Sequence, residues 1–159
     1  MTLVTPEGFA PDPWTRLDDD APVAGSRVIV PLARLDEALA AGIDGVGVEL
    51  AADADLALLL RRLGSLQLIV LRFASFTDGR GFSLARRLRQ FGFSGRLRAA
   101  GHLIPDQWSF LQDCGVDEVE IADALAARQG EAAWRGAGGA ITGSYQRRLA
   151  AGRGAALRA

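Results

Sequence analysis

The sequence predicts an α/β fold: one domain of about five βα units around a mainly parallel sheet. Three observations carry this expectation. From Arg27 onward, short apolar runs alternate with segments of helical period. Glycines fall where helices should hand the chain back to strands. Two of those returns, Ala41-Gly-Ile-Asp-Gly-Val46 and Cys114-Gly-Val-Asp-Glu-Val119, are near copies.

Taken in order, residues 1–26 are rich in Pro, Asp and Gly, with Asp18, Asp19 and Asp20 in a row, and predict an irregular arm anchored by Trp14 and Leu17. Residues 27–135 are expected to form the α/β domain. Its strands are expected at Val28 to Val30, Val46 to Leu50, Leu66 to Phe73, Arg96 to Ala100 and Val119 to Ile121. Between them, one helical face gathers Leu32, Leu35 and Leu39. The next gathers Leu56, Leu59, Leu60 and Leu63, then come Leu84, Leu88 and Phe91, and last Trp108 and Leu111. Gly42, Gly64, Gly92 and Gly115 suit left-handed C-caps, and Pro105 suits the first turn of the fourth helix. A closed (β/α) barrel needs eight units, so the choice lies between a partial barrel-like and an open flavodoxin-like sheet. Residues 136–159 form a Gly/Ala/Arg-rich tail with Arg147, Arg148, Arg153 and Arg158 and no acid after Glu131.

Composition removes several classes of chemistry. All 18 basic residues are arginine, so no lysine is present to form a Schiff base. With one cysteine, Cys114, and one histidine, His102, the chain cannot by itself build a four-cysteine iron-sulfur site, a multi-ligand Cys/His zinc site, a CxxC redox pair or an internal disulfide. No metal site is expected. Any redox centre would be an organic cofactor, such as a flavin, or belong to a partner, and no cofactor fingerprint is present. A net charge of -1 gives no general attraction to nucleic acid or to an anionic membrane. The first residues lack a basic and apolar leader pattern and no apolar run approaches the roughly 20 residues of a spanning helix, so the cytoplasm is expected.

Buried parallel strands should be almost purely apolar, yet four successive runs carry an internal charge: Glu49, Arg72, Arg98 and Glu120. Unpaired burial would cost several kcal/mol each. They therefore either neutralise one another or meet a ligand or partner. After the third strand comes Asp78-Gly-Arg-Gly-Phe-Ser83. Gly79 and Gly81 allow positive φ and close approach, Arg80 adds charge, and the following helix offers free N–H groups, a sensible site for a small oxyanion. The same residues also suit a plain turn capped by Asp78. Arg86, Arg87 and Arg89 continue along that helix as a solvated face. In the next loop His102, Asp106 and Gln107 stand near a helix start, where Asp106 complements the helix dipole. Cys114 reads as a buried, inert thiol.

Phe73, Phe76, Asp78 to Ser83, Ala85, Arg86, Leu88, Arg89, Gly95, Leu97 to Ala99, Gly101, Asp106, Gln107, Cys114 and Gly115 together make a connected pattern. It resembles a bacterial domain-of-unknown-function family, number nine-three-four, described as a probable oxidoreductase involved in sulfite reduction. The resemblance covers roughly Trp14 to Gln146. It implies an association with assimilatory sulfite reduction, and carries the family's role onto Asp78, Gly79, Arg80, Gly81, Ser83, Arg86, Arg98, Asp106 and Gln107. This chain has Ala74 where members often have proline and His102 where they have an acid or amide. The second departure weakens His102 as an essential acid-base group and moves weight to the arginines and Asp106.

Three functions are compatible with these residues: an accessory protein docking on sulfite reductase or its electron donor, an oxidoreductase or flavin-type electron carrier, and a sulfur-oxyanion binding domain. The open sheet edges expected of five strands leave room for a homodimer.

Overall fold

The computed structural model describes residues 1–51, 53–75 and 79–138. Where the sequence predicts an irregular arm, residues 1–26 contribute three strands: β1 (Thr2–Thr5), β2 (Gly8–Ala10) and β3 (Thr15–Arg16). The five expected strands follow as β4 (Arg27–Pro31), β5 (Gly45–Leu50), β6 (Leu68–Phe73), β7 (Arg96–Gly101) and β8 (Glu118–Ile121). The helices are α1 (Leu35–Ala40), α2 (Leu56–Leu60), α3 (Arg80–Gln90), α4 (Trp108–Asp113), α5 (Asp123–Gln129) and α6 (Glu131–Gly138).

All eight strands form one sheet in the order β2-β1-β8-β7-β6-β5-β4-β3. From β3 to β8 the pairing is parallel, while β1 runs antiparallel to β8 and β2 antiparallel to β1. The fold is thus mixed α/β and mostly parallel with an antiparallel edge, rather than a plain set of five βα units. Strands β4 to β8 are neighbours in chain order, as in a barrel and unlike the reordered strands of a flavodoxin-like sheet.

One contact measures the curl. Arg16 on β3 donates from Nη1 to Glu120 Oε1 on β8 at 2.6 Å, although the two strands are five positions apart in the sheet. In a flat sheet that separation is about 24 Å, far beyond the reach of two side chains. The sheet therefore bends into a half-barrel. The arm reaches both of its edges: β1 and β2 lie on one, β3 on the other, and residues 11–14 pass over the concave side between them.

Strand alternation sorts the two faces. Val28, Val48, Ile69, Leu71, Leu97 and Val119 point to the convex side and pack with Leu59, Leu88, Trp108, Leu111 and Trp134 in the main core. On the concave side Ile29, Leu68, Val70 and Ala100 form a second, smaller cluster, with Trp14 of the arm packed against it.

Of the four expected left-handed caps, Gly42, Gly92 and Gly115 have φ of 67°, 88° and 93°. Gly64 does not. It lies inside a 3-10 turn, Leu63–Ser65, whose tight i to i+3 bonding ends the segment without a left-handed residue. Of the expected tail, residues 136–138 close α6, and Arg147, Arg148, Arg153 and Arg158 lie outside the described residues.

Candidate functional site

The concave face holds a continuous ionic chain. Glu49, Arg72, Arg98 and Glu120 all occupy the inward register of β5 to β8, along with Arg96 and Glu118. Arg72 Nε donates to Glu49 Oε1 at 2.8 Å, and Arg16 Nε donates to Glu49 Oε2 at 2.8 Å. Arg16 also grips Glu120 with both terminal nitrogens, at 2.6 and 3.0 Å. Arg98, fully buried at 0 % exposure, donates to Glu120 at 3.0 Å and to Glu118 at 2.9 Å. Its two terminal nitrogens meet the Asp12 carboxylate of the arm at 2.6 and 2.9 Å, a bidentate pair. Arg96 closes the chain on Glu118 at 2.8 Å.

Four arginines thus face four carboxylates. Burial alone would favour the neutral form of Arg98, but the Asp12 hydrogen bond and the Glu118 and Asp12 charges outweigh it and raise its pKa. Burial alone would raise the Glu120 carboxyl, and Arg16 and Arg98 more than reverse that, leaving it below its ordinary value. Asp12 is likewise held low, against its own burial, by Arg98.

The sequence flagged four of these eight residues. Glu118 and Arg96 carried a usable signal, because Glu118/Glu120 and Arg96/Arg98 are i, i+2 pairs on adjacent strands and so form a cross-strand ladder. Asp12 and Arg16 carried none, since the curl alone brings them there.

The Gly-Arg-Gly segment is built differently. Asp78 lies outside the described residues, as do Phe76 and Thr77. Gly79 precedes α3 with φ -73°, and Gly81 is not among the positive-φ glycines either, so neither uses the left-handed freedom expected of it. Gly81 is needed for space: a Cβ there would meet Phe73 Cε1 at 2.6 Å. Arg80 and Ser83 are exposed in the first turn of α3, and Arg86 lies exposed further along. Arg86 stacks over the Phe110 ring at 5.5 Å and Arg87 over Phe91 at 6.0 Å. Arg89 differs, turning in to the carbonyls of Phe93, Gly95 and Gly115 and to Asp117. Asp106 is exposed and Gln107 Oε1 accepts from Ile104 N at 3.2 Å. His102 is exposed, and Cys114 is buried, with burial pushing its thiol up against the opposing pull of Arg86.

The expected site therefore divides. Arg72 and Arg98 turn to Glu49, Glu118, Glu120 and Asp12 on the concave face. Arg80, Ser83 and Arg86 belong to α3, whose apolar side packs with the convex core. Among the described residues no group of three or more His, Cys, Asp or Glu stands where it could hold a metal, and no helix is long and apolar enough to cross a membrane.

A family model described as bacterial protein of unknown function (DUF934) matches residues 47–155, more than half of the chain. The chain belongs to the DUF934 family. No curated protein matches it. The match begins within β5 rather than near Trp14, where the resemblance was expected to start. In this DUF934 chain the matched stretch supplies β6 to β8 and α3, while Asp12 and Arg16, which close the ionic chain, come from before it. Chemically, the concave face is self-neutralised, whereas α3 turns guanidinium groups toward solvent on aromatic supports.

Proposed function

We propose that this DUF934 protein is a cytoplasmic accessory protein of assimilatory sulfite reduction that docks through α3 on an acidic face of sulfite reductase or its electron donor. The observation that carries the docking surface is a charge asymmetry. Residues 79–105 contain Arg80, Arg86, Arg87, Arg89, Arg96 and Arg98 and no acid. Arg89, Arg96 and Arg98 are engaged internally, but Arg86 and Arg87 are exposed over Phe110 and Phe91, which are themselves 47 % and 48 % exposed. Arginine and aromatic side chains are the residues that dominate protein interfaces, and a positive face steers an acidic partner. The pathway rests on the family resemblance and its description.

The test is a deletion strain grown on sulfate, sulfite, sulfide or cysteine. The proposal expects no growth on sulfate or sulfite and rescue by sulfide. Wild-type growth on sulfate overturns the pathway. Full complementation by an Arg86→Glu/Arg87→Glu chain overturns the docking face. A colourless protein that co-purifies with sulfite reductase supports docking, and a yellow one with flavin absorbance favours an electron carrier instead.

A further inference from the structure

At the amino-terminal mouth of the half-barrel, beneath the arm, lies a cavity of about 620 Å³. The arm gives it an apolar wall of Pro11, Pro13 and Trp14, and its rim is set where the parallel strands begin, by Arg27, Asp44 and Gln67. Arg96, Arg98 and Glu118 also line it, already paired with one another, and a hollow of this size with apolar and polar walls suits a small molecule. It is separate from the α3 surface.

Two of its charged groups have no structural task. Among the described residues, neither Arg27 nor Asp44 makes a side-chain hydrogen bond or an ion pair. The near-copy returns make this specific to Asp44. In the return to β8, Asp117 accepts from Leu97 N at 2.7 Å and from Arg89 at 2.7 Å. Asp44 holds the same place in the return to β5 and accepts nothing from the described residues.

The two idle charges are close neighbours. Arg27 lies opposite Gly45 in the β4–β5 register, and Asp44 precedes Gly45. A Cβ on Gly45 would meet Arg27 Cγ at 2.8 Å and Trp14 Cη2 at 3.3 Å, so the arginine stem and the indole converge over that glycine. Gln67 Oε1 is held by Val46 N at 2.8 Å, which directs its amide NH2 away as a further donor.

We propose that this cavity binds a small zwitterion, a free α-amino acid with an apolar side chain. Its carboxylate lies on Arg27, its ammonium on Asp44 and its side chain against Trp14 and the two prolines. A simple anion would place its charge beside Asp44, and a simple cation would meet Arg27. A zwitterion satisfies both.

The probes are L-phenylalanine and L-leucine, followed by calorimetry and by the change in tryptophan fluorescence that is lost in a Trp14→Phe chain, since the chain has three tryptophans. Two analogues each lack one charge: 3-phenylpropionate and phenethylamine. The expected result is saturable one-to-one binding of an amino acid, with both analogues at least about tenfold weaker. Arg27→Gln and Asp44→Asn, at exposed and unbonded positions, each weaken binding by roughly ten- to a hundredfold with no shift in Tm. Three results overturn the proposal: no saturation by either amino acid below about 10 mM, 3-phenylpropionate binding as tightly as phenylalanine, or unchanged affinity in both variants.

Discussion

The concave face of the sheet and the exposed face of α3 are both rich in arginine, yet they answer their charges in opposite ways. Inside the half-barrel Arg16, Arg72, Arg96 and Arg98 are each met by a carboxylate within 3.0 Å. On α3, Arg86 and Arg87 rest on aromatic rings and are exposed. The difference teaches that arginine number says little about binding. An arginine is presented to a partner when its guanidinium rests on an exposed aromatic ring, and it is a structural element when carboxylates meet it inside the fold.

The largest effect that would break this comparison is at Arg98. Arg98→Ala leaves Glu118, Glu120 and Asp12 short of a buried partner, and should cost about 3 to 5 kcal/mol by denaturant unfolding. Arg86→Ala measured the same way should change stability by less than about 0.5 kcal/mol, because it lies on the surface. Equal losses at the two positions would erase the distinction. Gly81→Ala should come next, at about 1 to 3 kcal/mol, because its methyl intrudes on the Phe73 ring at the foot of α3. A neutral outcome there would return the glycine to the role of a simple turn residue.

Acid sharpens the contrast. Asp12 and Glu120 have folded pKa values below their unfolded ones. The stability they contribute is fully present above the unfolded carboxylate values near about 4 and is lost as pH falls through the lower folded values. Thermal unfolding should therefore show Tm falling below that pH in wild type, and a shallower fall in an Asp12→Asn chain. The smallest structural effect belongs to Arg86→Glu/Arg87→Glu, which should leave the unfolding midpoint nearly unchanged while weakening capture of an acidic partner in a salt-dependent way.

Much of the fold was legible because it rests on local period. The runs around Ile29, Val48, Ile69, Leu97 and Val119 alternate as strands must, and all five strands appear within a few residues of their expected bounds. The arm strands were not legible. A strand such as Thr15–Arg16 is too short to show a period, and β1 owes its place to pairing with β8, more than a hundred residues away. The charges at Glu49, Arg72, Arg98 and Glu120 were legible as an anomaly, since period 2 put them on a face that should be apolar. Their partners Asp12 and Arg16 were hidden, because curvature is a property of the assembled sheet and leaves no mark on spacing. Gly81 could be seen as special but not why. A glycine chosen for the space beside Phe73 looks, in sequence, like one chosen for its φ.

The bond between Arg16 and Glu120 also orders events in time. The two residues are 104 positions apart. At ordinary synthesis rates that separation is about 5 to 20 s, during which the arm exists without the strand it must reach. Arg98 in turn emerges before Glu118 and Glu120, with only Asp12 among its three carboxylate partners already made. Closing so long a loop is entropically slow and unrewarded until β8 has formed. Strand β1, made first, can thus join the main sheet only once β8 exists, and a nascent chain stalled before β8 would expose arginines on its concave side to any acidic chaperone or nucleic acid nearby.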